Sequence, residues 1–206
     1  MAPAATGTAF TSAADGDMRA SRDRAAFAAD RGIAPAWATV HQVHGSEIIE
    51  VDAPGVAGPA DAVLTAVPGL PVAVLTADCL GIVLHGERMV AAVHAGWRGL
   101  AAGVVEAAGL GMGAAGSPAT TAQIGPSIGP CCYEVGPEVV AAIGTPSTTT
   151  WGTVSVDLRA AARRRLEQVA AGIEVSVDDR CTRCSPGLHS HRRDGTAHRL
   201  AAVGWL

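Results

Sequence analysis

The chain has 206 residues, 49% of them hydrophobic, which is enough for one domain with a substantial core. A formal net charge of −4 with only two Phe and one Tyr offers neither a basic surface nor many rings for base stacking, so nucleic acid is not an expected partner. No basic patch leads into an apolar run at the N-terminus, and the most apolar stretch, Ala62 to Leu84, holds two prolines and Asp78. On these grounds neither a secretory signal nor a membrane-spanning helix is expected. Five cysteines, an odd number, suit a reducing compartment, and the expectation is a cytoplasmic protein with no membrane partner.

In chain order, the segment up to about Ala20 is small and polar and reads as irregular. Ser21 and Asp23 open a helix that Gly32 stops. Ala38 to Asp52 has the β-branched pattern of a strand, interrupted at His44-Gly45, and Pro54 to Pro59 reads as a turn. Val63–Val67 and Val72–Thr76 are short apolar strands divided by Pro68-Gly69. Ile82 to Val93 forms two apolar runs around His85-Gly86-Glu87-Arg88, the signal of a hairpin. Gly96-Trp97-Arg98-Gly99 turns into an Ala-rich helix, Leu100 to Ala108, followed by a Gly-rich loop. Ile124 to Val135 is a loop carrying Cys131 and Cys132, and Pro137 to Ile143 a short helix. Asp157 caps a helix with Leu158, Ala162, Leu166 and Val169 on one face, which Gly172 ends. Ile173, Val175 and Val177 alternate as a strand, and the tail from Cys181 is rich in Cys, His and Arg. Helices near both ends with hairpin-paired strands between them predict an α+β fold with a mixed sheet, and nothing divides residues 1–206 into more than one domain.

With Gly86-Glu87 as the centre of the hairpin, paired residue numbers sum to 173, so Cys79 faces His94. Directly opposed side chains lie about 4.5–5.5 Å apart on one face, within reach of a shared metal ion or of a nucleophile–base contact. A bulge at Gly81 would shift that register. His44, beside Gly45, is the natural third member, because two His and one Cys can hold zinc and leave a position open. Asp78 lies in the same strand segment. Arg98, where a strand turns into a helix, is a candidate anion anchor. Cys181-x-x-Cys184 has metal-knuckle or redox spacing without a second such pair; His189, His191 and His198 could complete a site, but two reduced thiols are the simpler expectation. Cys131-Cys132 reads as packing plus loop chemistry.

Four motifs in order carry a family resemblance: Gln42-Val43-His44-Gly45, Thr76-Ala77-Asp78-Cys79, His94-Ala95-Gly96-Trp97-Arg98-Gly99, and Ile128-Gly129-Pro130-Cys131-Cys132-Tyr133-Glu134-Val135-Gly136. With Cys181-Thr182 and Ser190-His191-Arg192-Arg193-Asp194-Gly195 in the tail, the chain from Thr39 to Leu206 resembles the YfiH-like laccase-domain family. That family is described both as multicopper polyphenol oxidases and as purine nucleoside phosphorylases. The resemblance implies mixed β-sheets layered between helices, and zinc, with copper as the alternative, on His44, Cys79 and His94. It implies phosphorolysis of adenosine, inosine and methylthioadenosine, with adenosine deaminase activity in addition. The partners are then a small nucleoside and phosphate, with Asp78 handling a proton and Arg98 and Arg193 meeting phosphate. Residues 1–38 depart from the family as a shortened, divergent segment: Phe10-Thr11 leads into small residues where an Asn-Leu-Gly element is usual, with Gly16-Asp17 as the remnant of a Gly-Asp pair. His191 stands where Tyr is more common. The alternatives are a copper phenol oxidase, a Cys79–His94 hydrolase, and a binding protein without catalysis.

Overall fold

A computed structural model of the chain describes residues 6–206. Its strands are β1 (Gly7–Phe10), β2 (Ala38–His41), β3 (Ile48–Glu50), β4 (Gly55–Pro59), β5 (Ala62–Thr65), β6 (Val72–Thr76), β7 (Leu80–Gly86), β8 (Val90–Ala95), β9 (Ala119–Ile124), β10 (Pro146–Thr148), β11 (Val154–Val156), β12 (Glu174–Val177) and β13 (Leu200–Trp205). Its helices are α1 (Ser21–Arg31), α2 (Trp97–Ala102), α3 (Val104–Ala114), α4 (Pro137–Ile143), α5 (Leu158–Val169) and the single turn α6 (His191–Asp194). The fold is α+β with mixed sheets. One sheet runs β1-β13-β6-β2-β4, a second β12-β9-β7-β8-β5-β3, and β10-β11 is a small hairpin.

The two large sheets lie face to face, and alternation within their strands assigns side chains to layers. In β8, Val90 and Ala92 enter the core between the sheets, whereas Ala91 and Val93 join the core beneath the helices. In β6, Val72 and Val74 face the inter-sheet core, and Ala73 and Leu75 face the cluster that holds Phe27 of α1. The continuous apolar runs are therefore strands buried on both faces. Leu100, Val104, Ala108, Leu158, Ala162 and Leu166 bring α2, α3 and α5 onto the outer face of the second sheet. Each fully buried large aliphatic contributes about 1.5–3 kcal/mol. Asp157 caps α5 by accepting from the backbone N–H groups of Arg159 and Ala160, as its position predicts.

Several elements differ from expectation. The opening segment is not irregular throughout: β1 pairs antiparallel with β13, from Gly7↔Trp205 to Phe10↔Ala202, while the expectation for residues 1–5 lies outside the described residues. The stretch 38–52 is two strands in different sheets, and His44 lies in the loop that crosses between them. Pro54–Pro59 is largely strand β4, paired in parallel with β2. The helix expected to end at Ala108 breaks at Gly103 (φ 89°), then runs to Ala114, and its Gly109 and Gly111 fall where Val169, Ile48 and Leu64 press against it. The hairpin forms, but its turn is centred on Glu87-Arg88, with Gly86 N–H bonded to the Met89 carbonyl at 2.9 Å. Gly81, not Cys79, therefore pairs with His94. The shift is two residues, and a two-residue shift keeps every side chain on its face.

Candidate metal centre

Three segments meet above the end of the β7–β8 hairpin. The β2–β3 loop supplies His44, the turn before β7 supplies Cys79, and the end of β8 supplies His94. Their ligand atoms all lie within 4.8 Å of one another, with Cys79 Sγ 4.0 Å from His44 Nε2. The two imidazoles meet edge-on with centroids 4.8 Å apart. Although the pairing partner of Cys79 was misassigned, the conserved face places its sulfur diagonally across from His94, within reach.

The site is built at a backbone cost. Among the described residues, His44 (φ 61°) and Asp78 (φ 88°) are the non-glycine residues with positive φ, and they flank the ligand cluster. Asp61, fully buried at the start of β5, supports the first of them. It accepts the backbone N–H groups of Val43 (3.1 Å), His44 (3.0 Å) and Gly45 (2.7 Å). The same carboxylate accepts His94 Nδ1–H at 2.8 Å, so Nε2 is the nitrogen of that ring left to meet a metal. A carboxylate behind an imidazole is a recurrent way of orienting a histidine that is to ligate a metal. Sequence reasoning missed Asp61; its one signal was an acidic residue opening an otherwise apolar strand, Ala60-Asp61-Ala62-Val63-Leu64. Gly96 is required by close approach, because a Cβ there would lie 3.0 Å from His44 Cδ2 and 3.1 Å from Cys79 Sγ.

Electrostatics prepare the sulfur for a metal. Burial alone would push the Cys79 thiol up, but hydrogen bonds and charge from His44 and His94 outweigh it and bring the group down to about 6. Burial would lower His94, and contacts with Asp61 and Cys79 instead raise it to about 9. A metal takes Cys79 as thiolate and His94 as neutral imidazole, so binding releases the His94 proton, and with it gone the donor set fits a single ion of the zinc or copper kind with one position left open.

A cleft opens on His44 and Cys79, lined also by Asp78, Trp97, Arg98, Tyr133, His191 and Arg192. The Arg98 guanidinium lies 4.5 Å from the Trp97 ring, and none of its donors meets an acceptor among the described residues. Asp78 reaches the lining, yet its carboxylate is fully engaged: Oδ1 accepts Thr182 Oγ1–H at 2.5 Å and Oδ2 accepts the Arg192 backbone N–H at 2.6 Å. These two contacts fasten the tail to the site. Arg193 is not brought to the cleft. Its guanidinium donates to the carbonyls of Thr182, Arg183, Ser185 and Leu188 and pairs with Asp194 at 2.7 Å, which staples the tail to itself. The neighbouring Arg192 takes the cleft position, with its guanidinium 5.3 Å from the Tyr133 ring. His191 lies at the cleft, whereas His189 donates to the Gly16 carbonyl at 3.0 Å and meets His198 edge-on.

A family model described as multi-copper polyphenol oxidoreductase laccase matches residues 6–206. The chain is 40% identical over 211 residues to a purine nucleoside phosphorylase of Streptomyces coelicolor, covering 93% of this chain and 83% of that one. It is 42% identical over 202 residues to a purine nucleoside phosphorylase of Streptomyces griseus, covering 91% and 80% respectively. Among solved structures, YlmD from Geobacillus stearothermophilus superposes with a TM-score of 0.83 at 28% identity, over 100% of this chain and 93% of that one. No helix among the described residues is long and apolar enough to cross a membrane.

Proposed function

The chain belongs to the multi-copper polyphenol oxidoreductase laccase family, and from that premise we propose that it is a purine nucleoside phosphorylase working at a zinc centre on His44, Cys79 and His94. The observation that carries the reading is the three-ligand cluster, backed by buried Asp61 and opening on a cleft with two cationic side chains. When bound, zinc would supply a Lewis acid with one position left open beside the cleft.

The chain's own groups do the rest. Asp61 holds the His94 ring in the tautomer that presents Nε2, and holds the loop of His44 in its left-handed turn. Arg98 and Arg192 bind phosphate, their guanidinium planes kept in place by Trp97 and Tyr133. Burial raises the Tyr133 hydroxyl to about 12, so it remains a neutral hydrogen-bond donor in the cleft wall at working pH. Asp78 positions the tail through Thr182 and the Arg192 backbone. Adenosine, inosine and methylthioadenosine are the proposed substrates, with deamination of adenosine as an added activity of the same site. Its five cysteines are free, which suits the cytoplasm as its location.

Copper is the second reading, because two His and one Cys are also a donor set that copper uses. Purified protein with its metal content measured, incubated with adenosine or inosine with and without phosphate, separates the readings. Phosphate-dependent release of free base and ribose 1-phosphate is expected. Copper content with phenol oxidation and no nucleoside turnover would reverse the assignment, and absence of any turnover from folded, metal-loaded protein would leave a binding role.

A further inference from the structure

The four cysteines outside the triad converge on one point. Cys131 and Cys132 sit in the turn after β9, where the N–H groups of Cys132 and Tyr133 both bond the Gly129 carbonyl at 3.0 Å. Cys181 lies on an isolated parallel bridge to Ser127, and Cys184 follows at the x-x-Cys spacing of a metal knuckle. The sequence offers no second Cys-x-x-Cys; the fold completes the set with the vicinal pair. Cys184 Sγ is 3.2 Å from Cys132 Sγ and 3.7 Å from Cys131 Sγ, and all four sulfurs lie within 4.8 Å of one another. A tetrahedral ion with zinc–sulfur bonds of about 2.3 Å holds its thiolates about 3.8 Å apart, so only small shifts would close this set around one ion. The span is too short for the wider separation of cysteines around a four-iron cluster.

The surroundings are those of a prepared site. Cys132 and Cys181 are buried, whereas Cys184 is exposed and gives an ion access. The Gly129 N–H donates to Cys181 Sγ at 3.2 Å, a contact that favours thiolate. Buried Arg159 clamps the two cysteine-bearing loops, donating to Ser127 Oγ (2.9 Å) and to the carbonyls of Ser127 (2.7 Å), Asp179 (3.0 Å) and Arg180 (2.9 Å). Its positive charge also opposes the negative charge that four thiolates carry. Arg193 braces the turn around Cys184 from the other side.

We propose that Cys131, Cys132, Cys181 and Cys184 bind a second metal ion, a soft divalent cation of the zinc type, as a closed structural site separate from the His44–Cys79–His94 centre. The ion joins the loop that carries Tyr133 to the segment in which Thr182 holds Asp78, so it braces one wall of the cleft. Pairwise disulfides are the competing use of these sulfurs.

The test uses the full chain purified under reducing conditions and loaded with zinc, then with cobalt(II). Wild-type protein is expected to retain two equivalents of metal, and Cys79→Ala and Cys184→Ser one each. In cobalt-loaded Cys79→Ala the intense thiolate-to-metal absorption of a four-sulfur tetrahedral site should remain, and in Cys184→Ser it should collapse. Should Cys184→Ser fail to fold, alkylation of the wild-type protein serves instead: zinc should shield these four cysteines and a chelator should expose them. The proposal is overturned if Cys79→Ala binds no metal, if Cys184→Ser keeps both equivalents, if alkylation ignores zinc, or if a Cys132–Cys184 disulfide forms in place of metal binding.

Discussion

The two sulfur-containing clusters of this protein are assembled alike and equipped differently. Both gather ligands that lie far apart in the chain. The His44–Cys79–His94 cluster mixes nitrogen with sulfur, is oriented by the buried carboxylate of Asp61, and faces an open cleft with Arg98 and Arg192. The Cys131–Cys132–Cys181–Cys184 cluster is all sulfur, is steadied by guanidinium-to-carbonyl bonds, and has no place for a substrate among its ligands. Three ligands with an open position suit chemistry, whereas four suit architecture. That contrast underlies both proposals, reactivity in the first region and a second region that holds the cleft in shape.

The largest break in that contrast is Cys79→Ala. It should abolish turnover and remove the metal of the triad alone, measured by phosphorolysis and metal analysis; undiminished turnover would refute the site. Next comes Asp61→Asn, which keeps the size of the side chain and removes its charge. Loss of a partner behind a ligating histidine costs about 10–100-fold in metal affinity or activity, and competition with a chelator should show that loss at the triad and none at the cysteines. Arg98→Ala and Arg192→Ala should each raise the KM for phosphate about tenfold, the worth of roughly 1.5 kcal/mol from a hydrogen bond to a charged group. Arg193→Ala should instead lower the melting temperature while leaving that KM nearly unchanged, and the opposite pattern would return Arg193 to the substrate. Gly96→Ala tests the close approach behind the triad. Its added methyl must displace His44 or Cys79, and overpacking of about 1–3 kcal/mol should appear as weakened metal binding together with a melting temperature lowered by several degrees.

Much of this was legible from local pattern. Apolar runs bounded by Pro and Gly marked β5, β6 and the β7–β8 hairpin, and capping by Asp157 marked α5. The hairpin turn was misplaced by one residue at its centre, which moved every pairing by two; the periodicity of a strand forgave the error, and Cys79 still reached His94. Residues 38–52 read as one strand because β-branching reports extended backbone and says nothing of which sheet receives it. Arg192 and Arg193 are indistinguishable in composition, and only the turn of α6 sends one to Tyr133 and the other to the carbonyls of its own loop.

By itself the sequence determined which residues could ligate a metal, the hairpin that brings Cys79 near His94, and the ordered motifs around His44, Cys79 and His94. Tertiary structure alone decided that Asp61 stands behind His94, that Asp78 binds the tail, and that a vicinal cysteine pair meets a Cys-x-x-Cys. The reason is physical: side-chain periodicity is set within a few residues of backbone, whereas contacts between distant segments depend on how two sheets and their helices pack.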